Sequence, residues 1–457
     1  MQFRPLLAAS TLGFVASFAF ACSSTKYPNA MLTFTQGQED DTFDGVEEFE
    51  IRRVHGEKSE KLLRAKELPE SIDLGKTGVY QYVGIGFDAD GNRIAEGRTL
   101  YASPGDLVGA EIPMFFARTD RATRPSGAFA LSPKQNPLAA VFGDSHVWLF
   151  DDSSEDTMET DTYTISYWEQ STPPTAYESI ACTKVPCNLR NLMVVGSVNA
   201  VVIAEKWAFF ISGTNQWGSK YELPDDLDAW TDVTGGRVLP GGNSSAILFG
   251  PTRLDEATDK ILALDGYASP TVFSLKTKRA GAAVAFEDGV GMVLVGGSAE
   301  GAGVEQMRSD DDAFVELPYP ADPVVGAALV VEDETHLLRM GGLTPDGTAA
   351  PTVRIDLECT ENCAYEPVAD LNVELRTAQS YFDPITSHTL VVGEDADGVT
   401  EVYRYFDGQM ITVEIPTEQK RVHALALELP NQQLGLIGGT EPGDESQSRS
   451  ALSVIAF

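Results

Sequence analysis

Residues 279–297 read RAGAAVAFEDGVGMVLVGG: a hydrophobic run rich in small residues, a polar turn, a second hydrophobic run and a glycine pair. Three further copies begin at Val324, Arg376 and Arg421, and each begins 17 residues before its first glycine. Those first glycines, at positions 296, 341, 393 and 438, are 45, 52 and 45 residues apart. A constant internal spacing with a variable outer spacing predicts a fixed β-hairpin between loops of variable length.

We call the first glycine at the end of each hairpin its glycine mark. Weaker copies of the repeat end at Gly143, Gly213 and Gly250, nearer the N-terminus, which makes seven glycine marks. Two further strand-like runs follow a mark, for example 304–308 and 313–318. Four short strands in about 45 to 50 residues is the period of a β-propeller blade. The sequence therefore predicts an all-β protein with a propeller over residues 119–457, of seven blades or, as the alternative, six.

The repeat resembles the Kelch family, in which an arginine opens one strand and a glycine pair ends the next. The resemblance implies a Kelch-like propeller. The recurrence of Arg279, Arg376 and Arg421 in one register favours a structural role over a catalytic one. The repeat glycines that carry the resemblance are Gly296, Gly297, Gly341, Gly342, Gly393, Gly438 and Gly439.

Closure of the ring requires one strand from outside the repeats. After Gly439 the sequence has room for one more strand, at 451–457, but not for two. Because an open edge strand invites pairing with another chain, we expect the ring to be closed by a strand borrowed from before the first repeat. The candidate is Glu111–Arg118.

The N-terminus predicts export. One positive charge, Arg4, precedes an apolar run and small residues, which is typical of a secretory signal peptide over residues 1–21. Ala19-Phe20-Ala21-Cys22 also resembles a bacterial lipobox, in which Cys22 is the acylated first residue. We expect a lipoprotein anchored in the bacterial cell envelope, with the outer membrane favoured and plain secretion as the alternative. Residues 22–30 form a short tether.

The cysteine count supports this interpretation. Cys22 is followed by two close pairs, Cys182 with Cys187 and Cys359 with Cys363. In an exported protein such pairs predict disulfides that close small loops, and Cys22 is left for lipidation. The alternative, a zinc site, requires reduced thiolates and two pairs brought together in space.

Residues 31–118 lack the repeat but contain alternating strand-like runs, such as Met31–Thr35 and Val79–Ile85. Asp90-Gly91 is a hairpin turn signal. These residues predict a small β-sandwich of six or seven strands that resembles an immunoglobulin-like domain.

The charge excludes one class of partner. Lys and Arg number 33 against 68 Asp and Glu, giving a net charge of −35. Because nucleic acid binding needs a basic surface, we expect no nucleic acid partner. The acidic excess indicates either a salt-adapted surface or a general solubility surface.

The sequence contains no recognisable motif for catalysis or for tight metal binding. Asp88-Ala-Asp90-Gly91-Asn92 has its glycine too early for an EF-hand and is interpreted as a turn, as is Asp395-Ala-Asp397-Gly398. We predict no catalytic residue, no cofactor and no metal site beyond weak divalent cation binding. The five histidines, His55, His146, His336, His388 and His423, are scattered along the chain. Three of them, His146, His336 and His388, lie next to strand starts and are interpreted as surface turn residues.

Acidic turns follow the glycine marks. Because equivalent turns of a propeller share one face, we predict a candidate binding face with Asp395, Asp397, Asp444 and Glu445 at its centre. Its other acids are Asp255, Glu256, Asp259, Glu300, Asp346, Glu394 and Glu441.

These features predict a non-catalytic binding lipoprotein that presents a Kelch-like propeller to an envelope or extracellular protein or glycan. It would contact the membrane only through the lipid anchor. The alternatives are a structural salt-adapted surface protein without a discrete ligand, or a glycan-active propeller enzyme.

Overall fold

The computed structural model describes residues 29–125 and 256–457, apart from short gaps, and the strand backbones between residues 138 and 249. Within the described part, no helix is long and apolar enough to cross a membrane. The predicted signal peptide, Cys22 and the Cys182–Cys187 pair lie outside the described residues. The gaps are residues 40, 57, 75–77, 106, 108, 266–270, 288, 309–310, 312 and 449–451.

The first seven strands form one sheet in the order β3-β2-β5-β6-β7-β1-β4. The strands are β1 (Met31–Gln36), β2 (Glu48–His55), β3 (Lys58–Ala65), β4 (Ile72–Asp73), β5 (Gln81–Phe87), β6 (Arg93–Arg98) and β7 (Glu111–Arg118).

This N-terminal sheet curls around a single core. Buried or half-buried side chains from all seven strands pack together, including Leu32, Ile51 and Phe116. The sequence predicted a sandwich of two facing sheets, but a parallel ladder between β1 and β7 joins every strand into one sheet. Because the sheet curls, one of its faces encloses a core between opposite parts of the same sheet.

Eight further sheets follow residue 137 within the described part of the chain, and the last two together make one blade. We number the resulting seven blades 1 to 7. Blades 1 to 3 are described by their backbone up to residue 249. Blade 1 contains β8 (Leu138–Phe142), β9 (His146–Asp151), β10 (Thr157–Thr164), β11 (Thr175–Ala176) and β12 (Ile180–Ala181). Blade 2 contains β13 (Leu189–Val195), β14 (Asn199–Ala204), β15 (Trp207–Ser212) and β16 (Trp217–Tyr221). Blade 3 contains β17 (Val238–Gly241), β18 (Ser245–Phe249), β19 (Thr258–Asp265) and β20 (Thr271–Arg279).

Blades 4 to 6 are regular four-stranded antiparallel sheets, whereas blade 7 has three strands and a two-stranded ribbon, β35–β36. Short 3-10 helices at Ala369–Leu371 and Thr417–Gln419 precede blades 6 and 7. Blade 4 contains β21 (Ala283–Glu287), β22 (Gly291–Val295), β23 (Val304–Met307) and β24 (Val315–Leu317), and blade 5 contains β25 (Ala328–Val331), β26 (His336–Met340), β27 (Val353–Asp356) and β28 (Glu366–Pro367). Blade 6 contains β29 (Thr377–Asp383), β30 (His388–Glu394), β31 (Thr400–Phe406) and β32 (Gln409–Val413). Blade 7 contains β33 (Leu425–Glu428), β34 (Leu434–Ile437), β35 (Thr440–Glu441), β36 (Asp444–Ser448) and β37 (Ser453–Ile455).

The sheets close into a ring. First strands of neighbouring blades contact each other, as β25 contacts both β21 and β29, so the first strand of each blade is the innermost. Strand β33 of blade 7 contacts β8 of blade 1, which completes the circle. The predicted all-β propeller is confirmed, and the seven blades in the described part of the chain agree in number with the seven glycine marks.

The closing strand differs from the candidate. Glu111–Arg118 is β7 and is fully used in the N-terminal sheet, between β6 and β1. The segment directly after it supplies the closure: Thr123 and Val454 exchange two backbone hydrogen bonds of 2.8 Å at the outer edge of β37. The borrowed segment therefore lies before the first repeat, as predicted, but five residues beyond the candidate strand.

A buried ion pair joins the N-terminal sheet to blade 6. Arg98, on β6, is fully buried and contacts both carboxylate oxygens of Asp383, with 3.0 Å between Nη1 and Oδ1. Nearby, the side-chain amide of Gln81 donates to the backbone oxygen of Asn431 in blade 7 at 2.9 Å. Because removing one partner of a buried pair leaves an uncompensated charge, this contact fixes the sheet to the last two blades.

The glycine pairs stand where neighbouring blades meet. A Cβ on Gly296 would lie 2.7 Å from the backbone oxygen of Val324, which leads into the next blade. A Cβ on Gly297 would lie 2.3 Å from the oxygen of Ala280, which leads into its own blade. Both glycines have positive φ, 78° and 68°. The pair therefore fits only without side chains, and Gly341–Gly342 makes the equivalent approaches to Leu375 and Val325.

The Gly297→Ala substitution tests this constraint. We expect it to lower the free energy of unfolding by at least about 2 kcal/mol, because the new Cβ meets backbone and the residue has positive φ. The matched control is Gly408→Ala, which also has positive φ (72°) but no atom within 4 Å of the added Cβ. Urea unfolding measures both variants, and equal losses would contradict the close approach.

Candidate functional site

The turns after the glycine marks lie on one face of the propeller. In an antiparallel blade, the turn between the second and third strands lies at the same end as the link to the next blade. Backbone hydrogen bonds confirm this arrangement, since Gly297 N donates to Val324 O at 2.8 Å and Thr400 N donates to Arg421 O at 2.9 Å. We call this end of the blades the glycine face.

Two of the recurrent arginines are buried and bind backbone oxygens of the glycine face. Arg279 is buried, and its Nη1 donates to the backbone oxygen of Gly296 at 2.8 Å, while Glu305 pairs with the same guanidinium at 3.1 Å. Arg421 is buried in the same way, and its Nη1 lies 3.4 Å from the oxygen of Gly438. Each of these two arginines thus binds the carbonyl 17 residues further along, at the other end of its hairpin.

The other two copies depart from this arrangement. Arg376 is exposed, and its glycine mark is Gly393-Glu394, where a glutamate replaces the second glycine. In blade 5, Val324 occupies the arginine position, and the buried Arg339 lies 3.1 Å from Asp322 instead. A buried arginine thus accompanies the glycine mark in blades 4, 5 and 7, but it enters from a different strand in blade 5.

The predicted central acids occupy two neighbouring blades. Asp395 Oδ1 accepts backbone hydrogen bonds from Asp397 (2.8 Å) and Val399 (2.9 Å), so it holds the turn between β30 and β31. Asp397 is exposed. Asp444 and Glu445 were predicted in a turn, but they lie in β36 of the ribbon, where Asp444 pairs with Glu441.

Further charged groups surround Asp395. Burial raises the pKa of Glu401; Lys420, whose Nζ lies 3.9 Å from Glu401 Oε1, opposes this shift, and the charge of Asp395 adds to it. His423 Nδ1 lies 2.9 Å from Glu394 Oε1. The face at blades 6 and 7 therefore carries excess negative charge, with one lysine and one histidine beside it.

The remaining predicted acids are spread around the ring. Glu300 and Asp346 are exposed in the equivalent turns of blades 4 and 5, and Asp346 accepts hydrogen bonds from Thr344 and Thr348. Glu256 is exposed, Asp259 lies at the start of β19, and Asp255 lies outside the described residues. Among the residues that can be described, no three histidine, cysteine or acidic side chains are grouped so as to hold a metal ion.

The Asp88 turn is held by its own side chain. Asp88 Oδ1 accepts hydrogen bonds from the backbone nitrogens of Asp90 (3.0 Å) and Asn92 (2.7 Å). The side-chain amide of Asn92 also donates to Asp88 Oδ2 at 2.9 Å. This bond, followed by the backbone bonds, lowers the pKa of Asp88. The carboxylate is used as an acceptor within the turn between β5 and β6.

Two of the histidines predicted at surface turns, His336 and His388, have different surroundings. His336 begins β26 beside Asp333, with 3.1 Å between Nδ1 and Oδ1, as expected of an exposed turn. His388 begins β30 but is half-buried, with its ring centroid 4.3 Å from that of Phe406. Burial, together with the charges of Arg93 and Arg404, lowers the pKa of His388 to about 4. It therefore belongs to the packed region near Asp383 and is not a surface turn residue.

The C-terminal cysteine pair is a disulfide. Cys359 and Cys363 are bonded, with 5.9 Å between their Cα atoms. Cys363 is buried in a core cluster that also contains Ile355 and Leu357. The bond therefore closes a small loop between β27 and β28.

Comparison with known proteins adds similarity in fold alone. No family model and no curated protein matches the chain. The chain is similar to the crystal structure of BBS1N in complex with ARL6DN, soaked with mercury (13% identity, 74% of this chain, 97% of that chain, TM-score 0.40). It is similar to the crystal structure of the Mitotic Checkpoint Complex (10% identity, 74% of this chain, 94% of that chain, TM-score 0.44). It is also similar to the calcium-binding protein regucalcin from Agrobacterium tumefaciens (12% identity, 71% of this chain, 91% of that chain, TM-score 0.35). At these TM-scores, the propeller assignment rests on the sheet topology.

Two substitutions at Asp395 separate its structural role from its charge. Asp395→Ala removes the acceptor for two backbone N–H groups, and we expect a loss of about 1 to 2 kcal/mol in the free energy of unfolding. Asp395→Asn keeps an acceptor oxygen, and we expect a change within about 0.5 kcal/mol. Thermal unfolding measures both, and an equal loss for Asn would show that the charge itself stabilises the turn.

Proposed function

We propose that the protein is a non-catalytic binding lipoprotein of the bacterial envelope, in which a Kelch-like propeller presents its glycine face to a protein or glycan. The observation that supports this most is the placement of acidic turns from blades 4 to 7 on one face. Loops on a rigid scaffold are where binding residues concentrate. The four blades are held by buried cores, so their turns have fixed relative positions.

The charge of this face favours a cationic partner or partner surface. Asp397 is exposed, and Asp395 is half-buried close to the half-buried Glu401. Like charges held together on a rigid surface attract a basic partner or loosely held divalent cations. Such an interaction weakens as salt concentration rises, because exposed charges are screened. The partner class is thus an envelope or extracellular protein with a basic patch, or a glycan held through bridging cations.

A fourfold neutralised variant tests this face. Asp395→Asn, Asp397→Asn, Asp444→Asn and Glu445→Gln are combined in one protein, and each substitution keeps a side-chain acceptor oxygen. We expect at least a several-fold loss of capture of envelope components on immobilised protein, with the thermal unfolding temperature almost unchanged. The partners retained by the wild-type protein are identified by mass spectrometry.

The matched control changes net charge by the same amount elsewhere. Its substitutions, Glu67→Gln, Glu70→Gln, Glu358→Gln and Glu361→Gln, are all at exposed positions. Capture should then remain at the wild-type level. If both variants lose capture equally, the acids act only through net charge, and if neither does, the glycine face is a solubility surface.

The anchor is tested at Cys22. We expect mass spectrometry of the N-terminal peptide from the native host to show an acylated Cys22, and Cys22→Ser to release the protein from the membrane fraction. A free thiol at Cys22, or a mature N-terminus elsewhere, would contradict the lipid anchor and favour plain secretion.

A further inference from the structure

The innermost strands of blades 4 to 7 end in a repeated pair of residues, away from the glycine face. We call this opposite end of the blades, where the first and second strands are joined, the turn face. In each pair an apolar residue is followed by an acid, and the apolar residues pair with equivalent positions of the second strand. The pairs are Phe286–Glu287, Val331–Glu332, Phe382–Asp383 and Leu427–Glu428.

The apolar members leave hydrophobic surface exposed. Phe286 is 42% exposed and Phe382 is 45% exposed, while Val331 lies half-buried on the inner strand between them. Phe406, at the end of β31, is 45% exposed, and Val315, at the start of β24, is 54% exposed. These residues all lie at the turn face, and no large hydrophobic residue is exposed on the glycine face within the described residues. Repetition in one register distinguishes this surface from scattered exposed residues.

The acidic members differ in their partners. Asp383 is paired with Arg98, and Glu332 is paired with Arg354 at 2.6 Å. The half-buried Glu287 is different, because burial raises its pKa to about 7 and no cation among the described residues acts against that shift. A lysine or arginine brought next to Glu287 would stabilise its ionised form.

We propose that the turn face of blades 4 to 6 binds a protein segment that carries apolar side chains flanked by lysine or arginine. The apolar side chains cover Phe286, Val331 and Phe382, and a basic side chain pairs with Glu287. A second copy of this chain is a poor occupant, because two molecules with a net charge of −35 repel each other. The proposal concerns the face opposite the glycine face and does not depend on the function proposed for that face.

A labelled peptide of alternating leucine and lysine is the probe, and fluorescence anisotropy against the full mature chain is the measurement. We expect binding of this peptide, and at least about tenfold weaker binding when Glu replaces Lys or Ser replaces Leu in the peptide. On the protein, we expect about tenfold weaker binding for the double variant Phe286→Ser and Phe382→Ser, and about threefold or more for Glu287→Gln. The Glu287→Gln variant keeps the size of the side chain, so it tests the site even if the double variant is unstable.

The glycine-face variant Asp395→Asn with Asp397→Asn is the matched control and should bind within about twofold of the wild type. An equal loss in this control would show attraction to the acidic protein in general and would overturn the proposal. So would an absence of peptide binding, or Glu287→Gln binding as the wild type does. Light scattering that shows a dimer dispersed by the Phe286→Ser and Phe382→Ser variant would identify a second copy as the occupant and overturn the proposal too.

Discussion

The ring of sheets is held closed where its last sheet is joined to a segment that precedes its first sheet. In this protein the joint consists of the reciprocal backbone hydrogen bonds between Thr123 and Val454. The segment that closes blade 7 is the direct continuation of β7, so the N-terminal sheet and the ring share one piece of chain. The positions of the two faces of the propeller depend on this joint.

Contacts between blades are set by backbone approaching backbone, and this explains the most regular features of the sequence. Gly296 faces the next blade and Gly297 faces the start of its own, so a side chain at either position would separate elements that are in contact. Arg279 binds the backbone oxygen of Gly296, and Arg421 binds that of Gly438. Where Glu394 replaces the second glycine, the arginine of that copy is at the surface.

The two faces of the propeller differ in chemistry. On the glycine face, carboxylates such as Asp397 are exposed, and on the turn face, phenyl rings such as Phe286 are exposed. The buried pair of Arg98 and Asp383 places the N-terminal sheet against the turn face of blade 6. The two surfaces proposed for binding are therefore separate, and the N-terminal sheet borders the turn face.

The repeat, the number of blades and the acidic turns could be predicted from the sequence, because each depends on local spacing: a hairpin of fixed length ending in glycine, followed by a loop. The need for a borrowed closing strand was also predictable, since it follows from counting strands. The identity of that strand was not, because both Glu111–Arg118 and the segment around Thr123 precede the first repeat, and only pairing with β1 and β6 decides between them. The same limit applies to Arg98 and Asp383, which are 285 residues apart in the chain. Their pairing depends on how two separate sheets meet, and no spacing within the sequence encodes that contact.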